Sequence, residues 1–164
     1  MRCWSWIASL LVLSTACGES EDGGLTAREL EQHGCELRTE GPFRGPIQAA
    51  ATAAAAPLVD LRDASTQISV PTGGGMLRFE LTEGDSLDHL ILVDRPVRVE
   101  VRDQFDNLIS PLHPHTGLDE CPTLITRFDV FLMQTGPYVL HVPASGSGTL
   151  NLVMYGIEGV PDFY

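Results

Sequence analysis

Between residues 66 and 155 the apolar side chains fall on every second position. Ile68 and Val70 alternate with Gln67 and Ser69, Leu77, Phe79 and Leu81 with Arg78 and Glu80, and Val97, Val99 and Val101 with Arg98, Glu100 and Arg102. A period of two marks a strand with one face buried and one in water, because successive side chains of an extended chain point to opposite sides. The same spacing puts Leu124, Thr126, Phe128, Val130 and Leu132 on one face of a strand, Tyr138, Leu140 and Val142 on another, and Leu150, Leu152 and Met154 on a third. Turn-forming residues separate these runs: "TGGG" at 72–75, "EGD" at 83–85, Asp106-Asn107, Gly136-Pro137 and "SGSG" at 145–148. The expectation is an all-β fold, a single antiparallel β-sandwich of about seven or eight strands, with a closed barrel as the alternative.

Upstream the period changes. In "LTARELEQHG", Thr26 is placed as N-cap, Glu29 completes a capping box, Leu25 and Leu30 form a hydrophobic staple and Gly34 is a stop signal. One short N-terminal helix is predicted, ending directly before Cys35. "IQAAATAAAAPLV" is alanine-rich, but Gly45 and Pro46 precede it, Pro57 closes it and no polar face recurs at helical spacing. It predicts a weak strand over 47–51 and then a connector.

The first residues, "MRCWSWIASLLVLSTACGES", carry one positive charge at Arg2, an apolar run from Trp4 to Leu13, and the small residues Ser14, Thr15 and Ala16 before Cys17. That run is too short for a permanent membrane span and reads as a secretory signal peptide over 1–16. The cysteine directly after Ala16 resembles the bacterial lipobox, in which that cysteine is lipidated and becomes the mature N-terminus; Ser14 departs from the leucine the pattern prefers. Cys17 is therefore the expected lipidation site, residues 17–24, with the acidic "GESEDGG", a flexible tether, and 25–164 the folded domain. The expected location is the bacterial cell envelope and the expected partner the membrane, reached through the lipid anchor. Plain secretion and an uncleaved anchor are the alternatives.

Composition narrows the chemistry. A chain of 164 residues suffices for one domain with its own core. The formal charge is −12 and all ten basic residues are arginine, a lysine-free, alanine-rich composition that looks like a GC-rich bacterial genome. A polyanionic surface argues against nucleic acid, whose phosphates need clustered basic side chains. The absence of lysine excludes Schiff-base and P-loop chemistry. Of the four cysteines, Cys3 leaves with the signal peptide and Cys17 carries lipid, so Cys35 and Cys121 are left in an oxidising compartment and are expected to pair. Two buried free thiols are the alternative. Closing a loop of 86 residues stabilises a fold by up to about 4 to 5 kcal/mol on the chain-entropy account.

The stretch from Gln67 to Tyr155 is similar to the bacterial pre-peptidase C-terminal type of β-sandwich. "VPTGGGMLRFELTEGDSL" resembles its opening pair of strands, "VEVRDQFDNLI" its central strand-turn-strand, and "GPYVLHVPASGSGTLNLVM" its closing glycine-tyrosine hairpin. The resemblance covers a little over half the chain and rests on turn and strand chemistry. In calcium-binding members an aspartate pair precedes the central strand; Pro96 and Arg98 stand at the matching positions, so the calcium site is not carried over. Such domains serve as secreted accessory modules, so the resemblance implies binding or structural support and no reaction.

One segment has the composition of a reactive site. In "SPLHPHTGLDEC", His113 and His115 have the spacing of an H-x-H zinc pair, and Asp119 or Glu120 could add an oxygen ligand. Pro111 and Pro114 instead mark an irregular connector with solvated histidines, and Cys121 is assigned to the disulfide. A metal-binding module or metal-dependent enzyme built on His113, His115 and Asp119 is thus the alternative to a non-catalytic module that needs no cofactor and binds an unidentified protein or carbohydrate. "EGDSLD" gathers Glu83, Asp85 and Asp88, but without the ordered spacing of a calcium loop. The serines of "SGSG" lack a nucleophile elbow, and His141 lies on an alternate strand position. Phe131, Met133, Val139, Val153 and Tyr155 fall on outward positions and would form an apolar patch if one sheet carried them all, unless the helix or the N-terminal segment covers them.

Overall fold

The computed structural model describes residues 26–111, 113–116 (backbone), 118 and 121–157. Among the described residues one α-helix, α1 (Ala27–Glu40), precedes ten strands: β1 (Phe43–Gln48), β2 (Ala64–Val70), β3 (Gly75–Leu81), β4 (Asp88–Val93), β5 (Glu100–Arg102), β6 (Leu108–Ile109), β7 (His113–Thr116), β8 (Thr126–Phe131), β9 (Gly136–Val142) and β10 (Gly148–Gly156). They form a six-stranded sheet in the order β1-β2-β10-β4-β8-β7 and a four-stranded sheet in the order β3-β9-β5-β6. The period-two residues meet between the sheets: Ile68, Leu77, Phe79, Phe128, Leu140, Leu152 and Met154 belong to one buried cluster. The fold is the all-β sandwich that alternation predicts, with short additional strands at the sheet edges.

The pairing is antiparallel with one exception. β1 runs parallel to β2, since the chain does not turn back in a hairpin between them. It leaves the six-stranded sheet instead and passes the outer edge of the four-stranded one, where Ala50 bridges Met76 and Leu58 bridges Arg78. The alanine-rich segment thereby covers the free edge of β3, which would otherwise present unpaired backbone groups. The strand expected over 47–51 begins earlier, at Phe43, and Pro46 is tolerated because β1 is an edge strand.

α1 lies on the outer face of the six-stranded sheet. The Thr26 hydroxyl accepts the Glu29 amide, and the Glu29 carboxylate accepts the Thr26 amide at 2.7 Å, closing the capping box. Leu25, the outer half of the expected staple, lies outside the described residues. Gly34 does not stop the helix. It is buried against the sheet, where a Cβ would collide with the end of Leu92, so its missing side chain sets the helix close to β4. The helix ends at Gly41, whose φ of +88° suits glycine and whose amide donates to the Leu37 carbonyl at 3.1 Å. Leu30, Leu37, Leu90, Leu92, Val153 and Tyr155 form a second buried cluster beneath α1.

Three side-chain devices hold the helix down. The Cys35–Cys121 disulfide, with Cα atoms 5.4 Å apart, joins its middle to the segment before β8. Arg127, in β8, is 5% exposed and bonds Asp129 at 2.8 Å and Glu31 at 3.4 Å. Burial opposes its charge, but these hydrogen bonds outweigh burial and raise its pKa. The Tyr155 hydroxyl donates to the Leu30 carbonyl and stands edge-on to His33.

Two further sequence readings change. Val97, Val99 and Val101 are all buried, but strand pairing covers only Glu100–Arg102. Leu124 faces the cluster beneath α1, while Phe128, Val130 and Leu132 face the sandwich interior.

Candidate functional site

The histidine segment is an edge strand. Residues 113–116 pair antiparallel with β8, His113 opposite Asp129 and His115 opposite Arg127, so this part of the expected connector is regular backbone. The side chains of His113 and His115 lie outside the described residues, as do Asp119, the expected lipidation residue Cys17, and all of 1–25. Of the expected site residues, the structure brings together Cys35 and Cys121.

The outward apolar residues do not form one patch. Val153 and Tyr155 are buried under α1, and Val139 belongs to the other sheet from Phe131. Met133, in the loop after β8, is 75% exposed.

Several clefts open on the described surface. The first, of about 310 Å³, lies where the segment before β2, the turn before β4 and the end of β10 meet, and is lined by Arg62, Asp63, Asp85, Ser86, His89 and Gly156. Its groups are largely committed to one another. Arg62 bonds Asp85 at 2.5 Å and Asp60 at 3.1 Å, and the second Asp85 oxygen accepts the Thr82 amide and hydroxyl. The Thr82 amide, foremost, holds the Asp85 carboxyl below the usual carboxylate range, with Thr82 and Arg62 side chains adding to it. The Ser86 hydroxyl is shared between the carbonyls of Ile157, at 2.9 Å, and Asp88, at 3.1 Å. It is therefore not an activated nucleophile, which needs a base as its partner. Of the "EGDSLD" acids, Asp85 thus serves as the cap of its own turn. Among the described residues no three histidine, cysteine or acidic side chains are grouped to hold a metal ion.

His89, on the interior face of β4, is the odd member of this cleft. It is 1% exposed and its Nδ1 has no hydrogen-bond partner. Burial pushes its pKa down, opposed by the Leu87 carbonyl and the carboxylates of Asp85, Asp63 and Asp88.

The second cleft, of about 240 Å³, lies on the outer face of the six-stranded sheet. It has Arg38 of the last turn of α1 and Phe43, Arg44 and Gly45 of β1 as walls, and Ser65 and Gln67 of β2 and Asn151 of β10 as floor. Gly45, at φ +101°, lets β1 approach so closely that a Cβ would strike the Gln67 carbonyl. Arg44 turns away to the Asp60 carboxylate at 3.1 Å and the Arg62 carbonyl at 3.1 Å. Asn151 donates to Asp94 at 2.5 Å. Sequence reading missed this site because its residues come from four elements. Only the outward polar positions of β2 hinted at it.

The third cleft, of about 350 Å³, is mostly apolar and opens between the sheets at Pro96, Val97, Pro111 and Phe128, with Arg98 at its rim. Neither Pro96 nor Arg98 supplies a carboxylate to it.

No family model matches the chain, and no curated protein matches it.

Proposed function

We propose that this protein is a bacterial cell-envelope lipoprotein, anchored in the membrane through Cys17, whose β-sandwich acts by binding or support and not by catalysis. The observation that carries the reading is the Cys35–Cys121 disulfide. A disulfide that closes most of a domain belongs to exported proteins, and this one follows a segment with the charge, length and small residues of a signal peptide ending at a lipobox-like cysteine. The proposal keeps the likeness to the pre-peptidase C-terminal type of sandwich as a reason to place the domain among accessory modules. The committed state of Ser86 and Asp85 supports the non-catalytic reading of the first cleft.

The test is Cys17→Ser expressed from its own signal sequence. The wild-type chain should take up radiolabelled fatty acid and sediment with membranes through an alkaline wash. The variant should take up none and appear in the soluble fraction, because buried acyl chains supply the membrane affinity. An unlabelled wild type, or a variant that still sediments, overturns the anchor.

A further inference from the structure

We propose that the cleft between the last turn of α1 and β1 binds a small hydroxylated carboxylate, with Arg38 as the residue that holds its charge. Arg38 has neither a hydrogen bond nor an ion pair among the described residues, and its Nε is buried without a partner. Arg44, Arg62, Arg102 and Arg127 differ in kind, for each is bonded to a carboxylate. A position in the last turn of a helix favours a positive charge, which accounts for an arginine at residue 38. It does not account for an unsatisfied nitrogen beside a polar cleft.

A second observation points to the same place. Ser65, on the floor, is 3% exposed, and its hydroxyl has no hydrogen-bond partner although its amide is taken by the Pro42 carbonyl at 2.9 Å. Beside it the exposed side chain of Gln67 completes the floor. Buried polar groups are ordinarily satisfied, and the enclosed, unpartnered Arg38 Nε breaks that rule at a hollow onto which the Ser65 hydroxyl and the exposed Gln67 amide also open, so a polar ligand there would complete the Arg38 guanidinium and meet both neighbours.

The charge and size select its class. Among the described residues no carboxylate lines the cleft, in a chain of net charge −12, and Arg44 is already matched by Asp60. One uncommitted positive charge suits a monoanion better than a phosphate dianion, and a planar guanidinium suits a carboxylate. The volume of 240 Å³ equals about eight water molecules, room for one sugar-sized molecule. Its hydroxyls would meet Ser65, Gln67 and the side-chain oxygen of Asn151, and its carbon face the exposed ring of Phe43. The inference deepens the reading of the domain as a binding module and is independent of the lipid anchor, so the failure of either leaves the other standing.

The experiment is an NMR titration of the isotope-labelled full-length protein in detergent micelles with D-glucuronate, and with D-glucose and inorganic phosphate as comparisons, following the Arg38 Nε–H and Gln67 side-chain amide signals. Glucuronate should move both signals saturably, glucose should not, and phosphate should bind at least tenfold more weakly. Arg38→Gln should weaken glucuronate binding tenfold or more. Ser65→Ala, which removes a hydroxyl from a buried site and leaves the helix untouched, should weaken it several-fold. Absence of saturable shifts with glucuronate, phosphate binding as tightly, or unchanged affinity in both variants would overturn the proposal.

Discussion

His89 is the one histidine among the described residues that the fold buries completely, and its position makes a pH dependence follow. The ordinary pKa of 6.5 is lowered in the folded chain, chiefly by burial, so the unfolded chain binds the proton more readily. The contribution is neutral above about pH 6.5 and becomes a loss of stability as the pH falls below that value toward the folded pKa. The carboxylates held low by their partners, Asp60 and Asp85, act in a separate window, since their contribution disappears only as the pH falls below the ordinary carboxylate range. Chemical denaturation between pH 7 and pH 5 should therefore show wild-type stability declining. His89→Met, which fills a similar volume with no titrating group and no unpaired Nδ1, should flatten that decline. An equal slope in the variant would assign the dependence to other groups. Sequence alone had no means of singling out His89: it follows the turn at "EGDSLD", and only the packing of β4 between β8 and β10 shows that its face is the interior one.

At the scale of the element, α1 illustrates which signals are local and which are not. Its start is written in neighbouring residues, Thr26 and Glu29, because a cap is satisfied within one turn. Its end was misread at Gly34 because a glycine has two uses, one in the backbone and one in packing, and the second depends on Leu92, a residue of β4. That use gives a prediction. Gly34→Val restores helix propensity relative to glycine but forces two methyl groups against a fully buried Leu92. Overpacking of this kind costs about 1–3 kcal/mol, more than the propensity gain of under about 1 kcal/mol. Urea titration should show a lower midpoint for Gly34→Val than for wild type, and a rise would mean that the helix can lift from the sheet at little cost. The parallel pairing of β1 with β2 was equally invisible, since alternation tells which face is buried but is silent on strand direction. The short strand β7 was missed for another reason: four residues are too few to show a period, and β6, with two, was legible only through the turn before it in "VEVRDQFDNLI".

For the whole molecule, the interior was the most legible part. The alternating residues of β2, β3, β9 and β10 meet where the pattern placed them, because burial between two sheets leaves no other use for a continuous apolar face. The Arg38 cleft was not legible, since its residues lie at 38, 43–45, 65–67 and 151 and share no local pattern. The disulfide joins the two kinds of information, and it also fixes how the domain would bear load. Residues 35 and 121 close a ring that contains β1 to β7, while β8, β9 and β10 lie outside it. If force is applied through handles at the two ends of the chain, it crosses from α1 to the segment before β8 through the sulfur atoms, and the enclosed strands never become part of the stretched path. Those outside the ring carry the tension, although β10 is wedged between β2 and β4 and β9 between β3 and β5, so pulling them out splits both sheets. The sequence separation of 86 between the two cysteines represents roughly 300 Å of slack at full extension. Single-molecule stretching should register that slack only after reductant is added, as a longer gain in contour length upon unfolding. Equal gains with and without reductant would mean that the ring is open in the intact protein. A closed ring limits how far a stretched molecule can reach, and leaves most of its strands joined end to end by a covalent bond even when the sheets have come apart.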